Sequence, residues 1–358
     1  MFILSVTRFR RLDSLLNISV IIPAFNAQST IGKCLDSVAV QNPAPLEIIV
    51  VDDCSNDTTA EIAAERRTRV IRCDRRSGPA VARNRGAESA RGNILLFLDA
   101  DVTIPPDLSR KILDILKEED SMAAVQTLYS PRCAAEDLVS EYQNFYYYHA
   151  LAHVKWQNAA IFATWCAAVR RNDFFAVGGF NTRIPEPTVE DEEFGYSLAD
   201  SGRFIRLARD IQVVHHASYT LSQFVSRRLR MARAQAKSGW RSIRDRLLRR
   251  YVNIRETGTH HSRWVVLSIL LVMAAQALLL AAAGSALLGS SAWRWLLPAA
   301  LAGLVLSQLC HLSFFGRAVS HFGAGVLPGF VLMCVLDMAV LGWGILQGTL
   351  QFILGRKY

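Results

Sequence analysis

The sequence predicts an α/β fold with a mostly parallel, Rossmann-like central sheet, followed by an amphipathic helix and a helical membrane region. Three observations predict this fold. Short apolar runs alternate with helical spacings up to residue 130, apolar residues are concentrated after residue 263, and a basic stretch lies between the two regions. At 358 residues the chain is long enough for one catalytic domain and an appendage.

The first part of the chain is a repeat of strands and helices. We expect strands at residues 18–22, 46–51, 69–72 and 94–98, and helices at residues 30–39, 58–66 and 80–90. Strand, helix and strand in this order form right-handed units around a parallel sheet. In open sheets of this kind the ligand lies beyond the carboxyl ends of the strands. The polar residues that end these runs are therefore candidate ligand-binding residues.

The C-terminal part contains three apolar segments, at residues 264–288, 293–312 and 325–350. Each is near or above the roughly 20 residues that a helix needs to cross hydrocarbon. Because the last segment contains Asp337, Gly342 and Gly344, a bent or re-entrant element is the alternative there to a third span.

Charge and cysteine usage indicate the compartment. The net charge is +9, and residues 227–250 alone contain ten basic residues and one acidic residue. A basic stretch before an apolar run favours binding to anionic lipid, so nucleic acid is not an expected partner. The seven scattered cysteines are typical of a reducing compartment. We therefore expect a multi-pass protein of the inner (plasma) membrane whose catalytic domain faces the cytoplasm.

These features divide the chain into four regions: a leader at residues 1–16, a catalytic domain at 17–220, a basic amphipathic region at 221–262 and a transmembrane region at 263–358. Apolar residues at spacings of three and four from Trp240 onward predict an amphipathic helix at the membrane surface. The alternative is a helix packed on the catalytic domain. Residues 131–220, with an aromatic cluster at residues 142–148, are expected to form the acceptor half.

The first candidate site lies at the ends of the first two strands. Asp52 and Asp53 end the second strand, and Pro23, Ala24 and Asn26 end the first. Carboxylates at a strand end can accept hydrogen bonds from a nucleotide base and a ribose hydroxyl. The alternative is that these residues serve only as a turn and a helix cap.

Two further stretches suit the phosphates of a nucleotide. Asp99 and Asp101 follow the strand at residues 94–98, and carboxylates at this spacing can reach the same hard cation. Gly78 begins a predicted helix that carries Arg83 and Arg85, which suits a diphosphate. A solvated arginine pair is the alternative for the helix.

The remaining candidates are acids and histidines. Residues 190–193 are four consecutive acids, whose mutual repulsion can raise the pKa of one of them and make it a general base. An acidic first helical turn explains them equally well, and the two interpretations are compatible. His215 or His216 could be a further metal ligand, although a single histidine is more often structural.

Taken in order, six stretches resemble the family 2 glycosyltransferases of the GT-A fold. They are residues 19–26, 51–57, 78–86, 98–101, 177–180 and 190–193. The likeness covers about residues 17–235, and six ordered matches are far more specific than any one of them.

The resemblance implies an inverting transfer of a sugar from a UDP- or GDP-sugar to a hydroxyl of a lipid-linked or polysaccharide acceptor. It implies that Pro23, Asn26, Asp53 and Asp52 hold the base and ribose, that Arg83 contacts the diphosphate, that Asp101 binds Mg²⁺ or Mn²⁺ with support from Asp99, and that Asp191 is the base. Beside these, the residues themselves add Ala24 to the donor site, His215 to the metal ligands and Glu190 to the catalytic acids. Such a single displacement needs positioning, a base and a neutralised leaving group.

The resemblance has departures, and it has rivals. Where the membrane-embedded synthases of this family carry a QxxRW motif, residues 227–233 read RRLRMAR, so a processive polymer synthase is not expected. One rival is a polyprenyl-phosphate sugar synthase, whose phosphate acceptor requires no base. The other is a non-catalytic membrane scaffold with a degenerate transferase domain.

Overall fold

The computed structural model describes residues 17–152, 158–159, 161–184, 188–244 and 263–356. Contacts divide the chain into two units, which do not follow the predicted regions, because residues 135–151 group with the C-terminal helices. The predicted boundaries therefore stay predictions. The expected leader and the apolar stripe beyond residue 244 lie outside the described residues.

The first unit is built on a mixed sheet that is mostly parallel, as predicted. Its strands are β1 Ile18–Ala24, β2 Glu47–Asp52, β3 Arg69–Arg72, β4 Ile94–Leu98, β5 Val102–Thr103, β6 Met122–Tyr129, β7 Asn158–Ala159, β8 Cys166–Arg170 and β9 Phe204–His215. Their order is β3-β2-β1-β4-β8-β6-β9-β5, with β7 paired to β9. Strands β1 to β4, β6 and β9 run in one direction, whereas β5, β7 and β8 run against them.

The helices of this unit are α1 Ile31–Ala39, α2 Thr59–Ala64, α3 Pro79–Ser89, α4 Leu108–Glu118, α6 Arg171–Ala176 and α7 Glu190–Asp200. The four strands and three helices predicted up to residue 98 are all present, with ends that differ by two residues or fewer. Helix α3 packs closely on the sheet because Gly86 has no side chain; a Cβ there would meet the side chains of Ile21 and Val51.

The core of the first unit lies behind the carboxyl end of β4. All five residues of this strand are buried, which is why its sequence is continuously apolar. Phe97 packs against Phe180 with ring centroids 5.1 Å apart, and Phe162 packs against Phe194 at 4.8 Å. Because Phe180 and Phe194 come from the segments around α7, this aromatic core fixes that helix close to the end of β4.

The second unit contains α5 Leu138–Ala152, α8 Leu221–Arg244, α9 Arg263–Leu287, α10 Trp293–Leu309, α11 Leu312–Phe322 and α12 Leu327–Ile353. Two segments, Arg263–Leu287 and Ala324–Ile353, are long and apolar enough to cross a membrane. Helices α10 and α11 are bent by 62° at their junction and add a third span only if the bent pair counts as one.

For the last apolar segment the structure shows a spanning-length helix and not the bent alternative. Helix α12 is continuous, and the break lies instead in the second segment, after Leu309. The glycines of α12 serve close packing: a Cβ at Gly342 would lie 2.6 Å from Met273 of α9, and one at Gly344 would lie 2.5 Å from Ala232 of α8. A small residue can mark either a bend or a close helix contact, and here it marks the contact.

Helix α8 confirms the predicted helix through Arg244. It lies along α12, and the Trp240 indole donates a hydrogen bond of 2.9 Å to Thr349 of that helix. Two arginines of the basic stretch, Arg228 and Arg241, are buried and are therefore not available to lipid. The aromatic cluster at residues 142–148 also has another role than expected, since Tyr142 and Phe145 are core residues of this unit.

A buried ion pair joins these helices. Arg228 of α8 donates from Nε and Nη2 to the two carboxylate oxygens of Asp337 on α12, both at 2.6 Å. The Tyr142 hydroxyl donates to the same carboxylate at 3.1 Å, and the Arg228 guanidinium lies 4.5 Å from the Tyr146 ring centroid. Asp337 is the acid that the sequence placed inside an apolar segment, and this contact explains how its charge is tolerated.

We expect Asp337→Asn to destabilise the second unit by about 3–5 kcal/mol, because it leaves the Arg228 cation buried without a counter-charge. Thermal unfolding of the full chain in detergent measures this. The double variant Arg228→Met with Asp337→Leu should recover most of the loss, and Asp114→Asn, at an exposed acid of α4, is the control. Unchanged melting of Asp337→Asn would contradict the assignment.

Candidate active site

The ends of β1 and β2 bring the predicted base- and ribose-binding residues together. Pro23 and Ala24 are in register with Val51 and Asp52, and the Asp53 amide donates to the Ala24 carbonyl at 2.8 Å. Asn26 has a positive φ of 51° and accepts a hydrogen bond from the Asn56 amide at 3.0 Å. All of these residues therefore lie at the carboxyl ends of neighbouring parallel strands. Their contacts with a nucleotide stay predictions.

Asp53 also has a structural role. Its two carboxylate oxygens accept hydrogen bonds from the amides of Ser77, at 2.7 Å, and Gly78, at 2.8 Å. Gly78 is the residue before α3 and has a φ of 87°, a left-handed conformation that glycine adopts without strain. Asp53 thus fixes the start of the helix that carries Arg83, so the capping interpretation and the nucleotide-binding interpretation apply to the same residue.

Arg83 joins two of the predicted acidic segments. Its Nη2 donates to Asp99 at 2.9 Å and its Nη1 to Glu190 at 3.0 Å, and its side chain is 5% exposed. Burial disfavours the cation, but the carboxylates of Asp99, Glu190 and Asp191 outweigh burial and raise the pKa of Arg83. Segments that are distant in sequence therefore converge on one guanidinium.

Asp191 lies next to this bridge at the start of α7. The residue is half-buried, and its carboxylate accepts a hydrogen bond of 2.8 Å from the Glu192 amide. Desolvation raises its pKa well above the usual range, and the negative charges of Glu190 and Glu192 raise it further, against a lowering by Arg83. The direction is the one the sequence predicts, but burial is a larger cause than the expected repulsion.

Asp101 and His215 form a second pair. The His215 Nε2 lies 3.4 Å from an Asp101 carboxylate oxygen. The backbone holds them together, since His215 pairs with Val102 across β5 and β9 and the His216 amide donates to the Asp101 carbonyl at 2.7 Å. The imidazole of His216 contacts Thr103 instead, at 3.0 Å, so the two histidines face different partners.

A divalent cation fits this pair in part. Among the described residues no group of three or more histidines, cysteines or acids is arranged as a complete metal site, and Asp99 faces Arg83. Magnesium-type sites are commonly completed by one or two carboxylates together with phosphate oxygens of the substrate and water. Asp101 supplies one carboxylate of this kind, and the His215 imidazole lies beside it.

The sequence did not indicate two features of this site. One is the pairing of Arg83 with Glu190. The other is Tyr129, whose ring lies 4.8 Å from that of His215 and 4.5 Å from that of Trp165. The position of Tyr129 at the carboxyl end of β6 was the available signal, because ligand-facing residues collect at such ends.

Arg85 is separated from the arginine that the sequence grouped with it. It lines a cavity of about 660 Å³ together with Asp74, Arg75, Arg76, Ser77 and Val81. Arg83 is buried beside Asp99, whereas Arg85 is exposed. The two arginines of α3 therefore have different surroundings, and their joint contact with a diphosphate stays a prediction.

Comparison with known proteins gives a consistent result. Residues 19–177 match the family model described as glycosyl transferase family 2. The succinoglycan biosynthesis protein ExoO of Rhizobium meliloti is 34% identical over 120 residues, which cover 33% of this chain and 34% of that protein. The putative teichuronic acid biosynthesis glycosyltransferase TuaG of Bacillus subtilis is 38% identical over 106 residues, which cover 28% of this chain and 42% of that protein. The chain thus spans well under half the length of these relatives.

A solved structure resembles the chain over nearly its whole length. The mannosyltransferase PcManGT from Pyrobaculum calidifontis, in complex with GDP-Man and Mn²⁺, has a TM-score of 0.56. The match covers 93% of this chain and 87% of that one at 19% identity. At this identity the likeness supports the fold alone.

We expect Arg83→Met to destabilise the first unit by about 3–5 kcal/mol, because it leaves the buried Glu190 and its neighbour Asp99 without their cation. Arg85→Met, two residues further along the same helix, is the matched control and should change stability by less than about 0.5 kcal/mol. Thermal unfolding of both variants checks this. Equal effects of the two substitutions would show that the bridge is not a stabilising contact.

Proposed function

We propose that this chain, whose residues 19–177 form a family 2 glycosyltransferase domain, is a membrane-anchored, metal-dependent and inverting glycosyltransferase. It moves a sugar from a nucleoside-diphosphate sugar to a hydroxyl of a lipid-linked or polysaccharide acceptor. The observation that carries the proposal is the convergence of Asp99, Glu190 and Asp191 on Arg83.

The donor would lie beyond the carboxyl ends of β1 and β2. Pro23, Ala24 and Asn26 would line the base, and Asp52 and Asp53 would accept hydrogen bonds from the base and the ribose. Asp53 already accepts hydrogen bonds from two backbone amides, so it would both fix the start of α3 and bind the donor. The GDP-Man in the solved PcManGT complex supports a donor of this chemical class for the fold.

Asp101 and His215 would hold Mg²⁺ or Mn²⁺, which when bound neutralises charge on the departing diphosphate. Asp99 would support the site through Arg83, since the two are joined at 2.9 Å. In this arrangement Arg83 presents a cation close to the same phosphates, and its two carboxylate partners hold its guanidinium in place. Because Nη1 and Nη2 already donate to carboxylates and the side chain is 5% exposed, Arg83 would act on the diphosphate mainly through its charge.

Asp191 would be the base and Glu190 its support. Both carboxylate oxygens of Glu190 are engaged, one by Arg83 at 3.0 Å and the other by the Thr188 amide at 2.8 Å. Asp191 is half-buried and its pKa is raised, which suits it to accept a proton. It would take the proton of the acceptor hydroxyl as that oxygen attacks the anomeric carbon opposite the nucleotide, so the configuration inverts.

The membrane part of the proposal rests on the second unit. Its two spanning-length helices, α9 and α12, would anchor the chain as a multi-pass protein of the inner membrane. The basic residues at 227–250 favour a cytoplasmic position for the catalytic domain.

Replacing the base tests the acceptor chemistry. We expect Asp191→Asn to lower kcat by about 10²–10⁴-fold with little change in donor affinity, because a positioned base contributes this much. Release of nucleotide from a panel of UDP- and GDP-sugars by the full chain in lipid measures the effect. Asp200→Asn, at the other end of α7, is the matched control and should retain turnover.

The same experiment separates the rivals. Full turnover by Asp191→Asn would instead favour a phosphate acceptor, which is already anionic and needs no base. If the wild-type chain neither binds nor turns over any nucleotide-sugar with Mn²⁺, the catalytic proposal fails in favour of the scaffold.

The pH profile tests the environment of Asp191. A base works only when deprotonated, so turnover is lost as the pH falls through the pKa of Asp191. Because this pKa is raised, the acid limb should lie above that of an ordinary carboxyl group. Glu192→Gln removes one of the charges that raise the pKa and should move the limb to lower pH, whereas Asp200→Asn should leave it in place. A limb that Glu192→Gln does not move would assign it to another group.

A further inference from the structure

We propose that Tyr129 and Trp165 are positioning residues that hold the His215 imidazole against Asp101 and so support the divalent cation. This inference rests on the proposed function, because the cation belongs to it. Neither residue is among the predicted ligands, and neither needs to touch the cation for the role assigned here.

The three rings form one continuous stack. The Trp165 and Tyr129 centroids are 4.5 Å apart with an interplanar angle of 24°, and the Tyr129 and His215 centroids are 4.8 Å apart with an angle of 28°. Tyr129 and His215 are each 6% exposed. The middle ring is therefore covered on both faces, and the imidazole has one face fixed by its neighbour.

The backbone holds the stack where the two aspartates are. Tyr129 is in register with Val213 across β6 and β9, two residues before His215. The Trp165 carbonyl accepts a hydrogen bond of 3.1 Å from the Asp99 amide, and the Asp101 carbonyl accepts one of 2.7 Å from the His216 amide. The outer rings of the stack thus belong to segments that bond directly to the backbone of the Asp99–Asp101 loop.

Stacking on Tyr129 can fix the ring plane of a histidine ligand. Rotation of an imidazole about its last torsion has only broad minima, so a histidine ligand usually needs a partner that fixes its ring plane. Here the flat Tyr129 ring restricts that rotation, and the Nε2 atom stays 3.4 Å from Asp101. The function needs the aromatic face of Tyr129 and does not need its hydroxyl.

The test measures Mn²⁺ binding directly. The free Mn²⁺ signal is followed by electron paramagnetic resonance during titration of the full chain in lipid, with saturating GDP or UDP. We expect Tyr129→Leu to weaken Mn²⁺ binding roughly 10–100-fold, the range typical of residues that orient metal ligands. Tyr129→Phe should bind within about twofold of wild type, and Trp165→Leu should weaken binding less than Tyr129→Leu does.

A matched control separates positioning from general loss of packing. Phe174 is a buried ring of the same unit that packs on Phe97 and Phe180, away from the stack. Phe174→Leu should lower the melting temperature as Tyr129→Leu does but leave Mn²⁺ affinity unchanged. Equal weakening of Mn²⁺ binding by both would overturn the inference.

A double-mutant cycle shows whether Tyr129 acts through His215. In a His215→Ala background the further change Tyr129→Leu should have no effect on Mn²⁺ affinity, because the ring that it positions is absent. A full additional loss would overturn the inference while leaving the cation site in place. Wild-type protein that binds the nucleotide but not Mn²⁺ would overturn both the inference and the metal part of the proposed function.

Discussion

The candidate site depends on a single buried cation. A guanidinium that is 5% exposed is stable only with counter-charges, and Arg83 finds them in Asp99 and Glu190. These acids follow β4 and begin α7, so the pairing of this one cation also fixes the distance between the loop after β4 and the start of α7. The start of α3 is held in turn by Asp53, through the amides of Ser77 and Gly78. The end of β2, the end of β4 and the start of α7 are thus linked through α3 and its Arg83 side chain.

The sequence predicted the local elements of the first unit well because each is encoded by its own residues. A continuous apolar run such as β4 is buried on both faces whatever lies beside it, and its polar end then marks the site. The antiparallel insertion of β8 between β4 and β6 has no such local signal, since it depends on pairing between segments far apart in the chain. The same holds for Tyr129 and for the partner of Arg83, because no spacing in the sequence records which side chains will meet.

In the second unit, the same residue type is compatible with either a helix bend or a close contact between helices. Gly342 and Gly344 suggested a bend, yet α12 is unbroken and both glycines lie where another helix approaches. Asp337 likewise suggested an interruption, but a cation on α8 neutralises it in the core of the unit. Periodicity in the sequence predicts that a helix exists. Whether a small or charged residue bends that helix or lies at a close contact depends on the helices packed against it. The apolar segments were therefore predictable as helices, and their contacts were not.

The two neighbouring acids at the start of α7 illustrate how one site can separate roles with similar groups. Glu190 is buried and bonded at both oxygens, which commits its charge to Arg83. Asp191 lies beside the negative charge of Glu190. Its own burial and this charge both raise the pKa of Asp191. The bridge therefore does more than join the two segments, because it commits Glu190 to Arg83 and leaves Asp191 as the candidate base of the proposed reaction.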